Sequence, residues 1–202
     1  EINARSIQPM FFMSSDTHVK TFMPVARKFG DPQFIVHSRD DQLAIKSLQA
    51  EGASYERHRA RLNWRGSDAA VTGCDWGAYD RLFVARARAN KVPSVIVQES
   101  IIDLDRPIGM MRWADYAIIQ GPYSLRYIQR DFAFLAGNPR YDTIKPLPLP
   151  NAPQAFINCN FTFNVFEEAG RPWIDDVVSA AEAARLPYMI SLHPRCYIDL
   201  NG

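Results

Sequence analysis

The feature that most constrains the fold is an alternation of short apolar runs with amphipathic segments. Residues 93–98 (PSVIVQ) are β-branched and apolar on both faces, as interior strands of parallel sheets are. Residues 18–29 instead place their apolar side chains at helical spacing. This rhythm predicts an α/β protein with a Rossmann-like, mostly parallel sheet and helices on both faces. The predicted strands cover residues 9–14, 34–37, 54–57, 68–72, 93–98, 115–119 and 132–136, and the predicted helices cover 18–29, 41–49, 78–90 and 124–130.

A proline tract then interrupts the alternation. Prolines deny the backbone its donors and bias the preceding residue toward extended geometry, so residues 146–153 form neither a helix nor a central strand. We predict a linker there, a Rossmann-like N-terminal domain over residues 1–145, and the start of a second Rossmann-like domain over residues 154–202. The second part has strand patterns at residues 155–158 and 188–192 around a helix pattern at 173–185, so we expect a truncated C-terminal domain. The four prolines of the tract are Pro146, Pro148, Pro150 and Pro153.

Composition narrows the class of partner. Lys plus Arg is 23 and Asp plus Glu is 22, so no overall basic charge favours a nucleic acid. The three cysteines lack metal-ligand spacing, which favours a reducing, cytoplasmic setting and no metal. The longest apolar runs are shorter than the roughly 18 residues of a membrane-spanning helix. Four arginines between residues 57 and 65 fit a solvated loop, although a peripheral contact with anionic lipid at the inner membrane face stays open.

Polar residues follow most of the predicted strands, where doubly wound sheets bind their ligands. His18, at the start of the first helix, is a candidate general base for a sugar hydroxyl, since its unperturbed pKa is near 6.5. Asp16 is a second catalytic candidate, with helix capping as its alternative. Glu99 follows the strand at 93–98 and is a candidate base beside Gln98, a candidate binding residue; a solvated loop charge is the alternative. Asp75, after the strand at 68–72, is a weaker candidate of the same kind, with turn chemistry as its alternative.

The second unit offers a further candidate site. His193, Pro194 and Arg195 follow its second predicted strand. Imidazole and guanidinium side by side can bind a phosphate or a nucleotide base, and the guanidinium can do so with two hydrogen bonds. No GxGxxG or GxxxxGK[ST] pattern is present, which argues against a standard dinucleotide site or P-loop.

Four segments, taken in order, resemble a known superfamily. They are residues 71–100, 115–127, 137–142 (GNPRYD) and 191–195 (SLHPR). Together they resemble the GT-B superfamily, and more narrowly CDP-glycerol glycerophosphotransferases and capsule transferases that use CMP-activated Kdo. Non-hydrolysing UDP-GlcNAc 2-epimerases are similar at a greater distance.

Two short motifs carry this resemblance, and one departs from it. Gly137, Pro139, Arg140 and Asp142 match the G-x-P-R-x-D-like turn that ends the first domain in these families, and His193 with Pro194 matches their His-Pro pair. The usual V-x-Q-H-G strand end is replaced here by Val97, Gln98, Glu99 and Ser100.

The resemblance implies a cleft between two Rossmann-like domains, with the acceptor on the first and the nucleotide donor on the second. It implies a nucleotide-activated glycosyl or glycerophosphoryl transferase of bacterial cell-surface polysaccharide synthesis. The donor would be CMP-, CDP- or UDP-linked and the acceptor a saccharide or lipid-linked saccharide, with no obligatory metal or other cofactor. Asn138, Arg140 and Asp142 would be substrate-binding residues. Two alternatives stay open: an epimerase-like isomerase, and a non-catalytic fragment that binds a sugar nucleotide or a partner.

Overall fold

A computed structural model describes most of the chain. The described residues are 6–37, 42–58, 62–75, 77–98, 111–126, 128, 131–145, 148, 151–159 and 167–192. The chain divides into two compact units, Glu1–Ile144 and Lys145–Gly202. Each unit is described by itself below.

The first unit contains a seven-stranded sheet in which every pairing is parallel. The strands lie in the order β3-β2-β1-β4-β5-β6-β7, so the order reverses direction between β1 and β4. This is the strand order of dinucleotide-binding folds, extended by a seventh strand. The α/β, Rossmann-like prediction is therefore confirmed. The strands are β1 (Pro9–Met13), β2 (Gln33–Val36), β3 (Glu56–Arg57), β4 (Ala69–Thr72), β5 (Ser94–Val97), β6 (Tyr116–Ile119) and β7 (Ala133–Leu135).

Strand β1 shows why helices cover both faces. All five of its residues are buried, and successive side chains point to opposite faces of a sheet. Phe11 and Met13 pack with helices α1 (Asp16–Ala26) and α2 (Gln42–Ala50). Met10 and Phe12 pack on the other face, where α3 (Ala78–Ala89) contributes Phe83 and Ala87. Each buried side chain of this size stabilises the fold by about 1.5 to 3 kcal/mol.

Two local predictions differ from the structure. The first helix is predicted over residues 18–29, but α1 runs from Asp16 to Ala26 and contains Pro24 in its last turn. Residues 124–130 are predicted as an α-helix, but the described part is a 3₁₀ helix, Pro122–Arg126. Its Ser124 hydroxyl donates to Gln98 Oε1 at 2.9 Å, and this bond ties the turn to the end of β5.

The described part of the second unit forms a β-α-β element. Strands β8 (Ala155–Cys159) and β9 (Tyr188–Leu192) pair in parallel, and α4 (Glu167–Ala183) connects them. Ile157 of β8 and Ile174 of α4 form the core of this unit. Helix α4 begins six residues before the predicted start at Trp173 and contains Pro172.

Candidate functional site

The candidate site of the first unit is the edge of the sheet at which the parallel strands end. Strands β1 and β4 are neighbours there, and Phe12 of β1 lies opposite Thr72 of β4. The connections that follow them run to opposite faces, because α1 and α3 cover different sides of the sheet. Such a point of reversal opens a crevice at the carboxyl ends of the strands, where open α/β sheets bind their ligands.

Ser15 begins the first helix at this crevice. Its backbone is extended, and its hydroxyl accepts a hydrogen bond from the backbone N–H of His18 at 3.2 Å. Ser15 is therefore the N-cap, and the capping alternative given for Asp16 is wrong, because Asp16 is the first residue of the helix. Asp16 follows it, and its carboxylate accepts from Lys20 Nζ at 2.8 Å, one helical turn away. The catalytic role proposed for Asp16 stays a prediction.

His18 is buried against the ends of β1 and β4 rather than exposed at the surface. Only 1% of the residue is exposed. Its Nδ1 lies 3.2 Å from both the backbone nitrogen and the hydroxyl of Ser14. The opposite edge of the ring lies against the end of β4, where a Cβ on Gly73 would stand 2.3 Å from His18 Nε2. Only glycine fits at position 73 while the ring keeps this place.

Gln98 joins the ends of β5 and β6. It is 3% exposed, and its Oε1 accepts from the Gln120 backbone N–H at 2.9 Å. The Gln120 side-chain amide in turn donates to the Gln98 carbonyl at 2.9 Å. The described bonds of Gln98 thus hold two strand ends and the 3₁₀ helix together. Its substrate-binding role stays a prediction, and Glu99 lies outside the described residues.

The GNPRYD segment forms a tight turn after β7. Gly137 has φ +80°, a left-handed conformation that favours glycine. The Asn138 side-chain oxygen accepts from the Arg140 backbone N–H at 3.0 Å and caps a 3₁₀ helix, Pro139–Tyr141. This short helix packs against α1. The turn therefore returns from the edge strand to the helix that carries His18.

Within that turn, Arg140 and Asp142 are more accessible than Asn138. The Arg140 guanidinium carbon lies 5.6 Å from the ring centroid of Tyr141, within cation–π range. Asp142 is exposed, and its backbone N–H donates to the Pro139 carbonyl at 3.2 Å. Both side chains have access to solvent, and their binding roles stay predictions.

Asp75 has a structural role that the sequence did not reveal. It is 0% exposed, and its carboxylate accepts backbone N–H groups from Met111 at 2.5 Å and Trp113 at 2.7 Å. These donors immediately precede β6, 36 and 38 residues further along the chain. The turn chemistry predicted for Asp75 is local, whereas its partners are distant, so no spacing in the sequence could have identified them.

A second set of side chains, for which the sequence suggested no partner, lies at the ends of β2 and β3. His58 is buried, and Arg86 Nη1 lies 3.0 Å from its Nε2. Arginine can only donate, so Nε2 accepts. Burial, and then the charges of Arg86 and His37, lower the pKa of His58 from 6.5 to about 4. The His37 ring lies edge-on to Tyr79, with 3.7 Å between centroids.

The remaining candidates are in the second unit. His193, Pro194 and Arg195 lie outside the described residues. Among the residues that are described, no three His, Cys, Asp or Glu side chains gather as metal ligands. None of the helices described is long and apolar enough to cross a bilayer.

Comparison with solved structures gives a likeness in fold. No protein-family model matches the sequence, and no curated protein matches it. A solved structure, MurG from Acinetobacter baumannii, is similar with a TM-score of 0.47 and 10% sequence identity. The match covers 95% of this chain and 67% of the MurG chain.

Proposed function

We propose that this chain belongs to a nucleotide-activated glycosyl or glycerophosphoryl transferase of the GT-B type, acting in bacterial cell-surface polysaccharide synthesis. One observation carries the proposal. The G-x-P-R-x-D-like turn packs on α1, the helix that carries His18 at the crevice between β1 and β4. The turn at residues 137–142 and His18 are far apart in the chain, and both bear on the proposal. They thus meet at one helix of a Rossmann-like domain.

The first unit would bind the acceptor in this proposal. The crevice offers hydroxyl, amide and imidazole groups, which suit a hydroxyl-rich saccharide. The Arg140 guanidinium can bind an anionic oxygen of a lipid-linked acceptor, since arginine pairs with phosphate through two hydrogen bonds. Glu99 and His18 are the acceptor-side candidates for acid–base chemistry, with Asp16 as a third.

The second unit would bind the donor, a CMP-, CDP- or UDP-linked sugar or glycerol. His193 and Arg195, with Pro194 between them, are the candidates for contacts with its phosphate or base. The chemistry is then a displacement in which the acceptor hydroxyl loses its proton to a base and the nucleotide leaves with the electron pair. Positioning and charge stabilisation at the leaving phosphate lower the barrier, and no metal is required.

Thermal shift with nucleotides tests the proposal. We expect CMP, CDP or UDP to raise the melting temperature, because a ligand that binds only the folded state stabilises it by RT ln(1 + [L]/Kd). Adenosine monophosphate is the control for unspecific phosphate binding. If none of the pyrimidine nucleotides stabilises the chain more than the control does, the transferase proposal fails.

A second candidate function, a non-catalytic sugar-nucleotide-binding module, is favoured by the burial of the polar candidate side chains at the strand ends. His18, Gln98 and Asn138 are between 1% and 8% exposed, and each makes hydrogen bonds within the protein. Stabilisation by a nucleotide without turnover of its sugar conjugate would support this function. Release of a free, epimerised sugar without an acceptor would instead identify an isomerase.

A further inference from the structure

His18 is a candidate residue of the proposed acceptor site, and its hydrogen bonds bear on what it can do there. In neutral imidazole one ring nitrogen carries a proton and donates, and the other accepts. The two nitrogens of His18 face different surroundings. Nδ1 faces Ser14 at the end of β1, whereas the Nε2 edge faces Gly73 at the end of β4.

The Ser14 backbone decides which nitrogen carries the proton. The Ser14 N–H points at Nδ1, with 3.2 Å between the two nitrogens. A backbone amide can only donate, so Nδ1 must accept. The Ser14 hydroxyl, also 3.2 Å from Nδ1, can rotate to donate to the same lone pair. Neutral His18 therefore carries its proton on Nε2.

The Gly73 side fixes the ring in this orientation. A Cβ at Gly73 would lie 2.3 Å from Nε2 and 2.5 Å from Cδ2 of His18. The tilted contact with Phe22, 5.5 Å between centroids, supports the ring from within α1. A flip of the ring would move Nδ1 away from the Ser14 N–H and leave this part-buried amide without its acceptor, which destabilises the flipped state.

We propose that neutral His18 is a positioning residue that carries its proton on Nε2, and that it does not accept the proton of the acceptor hydroxyl. The only lone pair of the neutral ring is held by Ser14, so the ring has none to offer at Nε2. His18 then links the ends of β1 and β4, and the base is a different group. This inference rests on the proposed transferase function only for its catalytic consequence.

Nitrogen NMR tests the tautomer without reference to activity. In a long-range proton–nitrogen correlation spectrum of uniformly labelled protein at neutral pH, we expect a protonated Nε2 and an unprotonated Nδ1 for His18. The His18→Gln variant assigns the signals, since the chain has 4 histidines. Ser14→Ala keeps the backbone N–H, so it should leave the tautomer unchanged. A protonated Nδ1 in neutral His18 overturns the inference, whatever the protein does.

Two matched variants then test the role in turnover. A Gln side chain places its N–H₂ group near the position of Nε2, and an Asn side chain places it near Nδ1. We expect His18→Gln to retain turnover within about tenfold and His18→Asn to lose more than that. Loss of a general base would instead lower turnover by about 10² to 10⁴ in both variants. Equal losses of that size in two folded variants contradict the inference, whereas absence of wild-type turnover contradicts the proposed function and leaves the NMR result standing.

Discussion

At the scale of single residues, the candidate site contains a contact between His18 and Gly73 that is too close for an added Cβ atom. The His18 ring occupies the space where the side chain of residue 73 would begin. The sequence could place His18 after a strand, because Ser15, Asp16 and Thr17 mark a helix start. It could not show that Gly73, 55 positions later, is the surface against which the ring packs.

Gly73→Ala should destabilise the first unit. Its Cβ would overlap the buried His18 ring, and overpacking of this kind costs about 1 to 3 kcal/mol. Urea unfolding measures the change. Gly121→Ala is the matched control, since a Cβ there meets nothing within 4 Å, and it should change the free energy of unfolding by less than about 0.5 kcal/mol. Equal stability of the two variants would show that the ring does not occupy this place.

His58 should make the fold sensitive to mild acid. Its pKa is about 4 in the folded chain, below the ordinary 6.5, owing first to burial and then to Arg86 and His37. Between these two pH values the unfolded chain binds the proton more readily. The stabilisation is therefore fully present above pH 6.5 and is lost as the pH falls toward 4, by on the order of 2 kcal/mol.

The measurement is the free energy of unfolding in urea at pH 7, 6, 5 and 4.5, for the wild type and for His58→Gln. The variant keeps a side-chain oxygen that can accept from Arg86 but does not titrate in this range. We expect its stability to vary less over this range than that of the wild type. Identical pH profiles of the wild type and His58→Gln would mean that His58 does not cause the loss of stability in acid.

At the scale of elements, the sequence pattern predicted the strands and helices whose conformation depends on residues close together in the chain. The strand at Ser94–Val97 was predictable because its side chains are apolar on both faces, and it is interior in the sheet. The 3₁₀ helix Pro122–Arg126 was not, because its conformation depends on the bond from Ser124 to Gln98, 26 residues away. Helix α4 includes Pro172, which sequence rules place outside a helix.

Asp75→Asn should loosen the connection between β4 and β6. An amide presents one acceptor oxygen where the carboxylate has two, and hydrogen bonds to charged groups contribute about 1.5 to 3 kcal/mol each. We expect lower stability in urea and faster hydrogen exchange at the Met111 and Trp113 amides. Asp31→Asn, at an exposed position, is the control and should change neither. Unchanged exchange at both amides would show that the Asp75 carboxylate does not stabilise these two hydrogen-bonded amides.

At the scale of the whole molecule, the alternation of strand and helix patterns was sufficient to predict the parallel sheet. A parallel strand pair needs a crossover, and a series of crossovers buries both faces. Which rim residues meet was beyond the sequence, because β1 and β4 are neighbours although two strands and two helices separate them in the chain. The pairing of His18 with Gly73 follows from that topology.

If the first unit binds the acceptor and the second binds the donor, a variant of the second unit should change nucleotide binding. A variant of the first unit should change turnover. His193→Ala should weaken nucleotide binding at least about tenfold, equivalent to 1.4 kcal/mol, because it removes a phosphate or base contact. Glu99→Gln should lower turnover and leave nucleotide affinity nearly unchanged. Calorimetric titration and initial rates separate the two effects. Unchanged nucleotide affinity in His193→Ala would remove that residue from the donor site.

The most direct test of the transferase account is product analysis with activated donors. The chain is incubated with CMP-, CDP- and UDP-linked donors, each with and without saccharide and lipid-linked acceptors from bacterial envelopes. The account predicts that one donor releases its nucleotide only when an acceptor is present, in a one-to-one ratio with the glycosyl or glycerophosphoryl group transferred. Nucleotide release that is absent with every donor, or that does not depend on the acceptor, would contradict it.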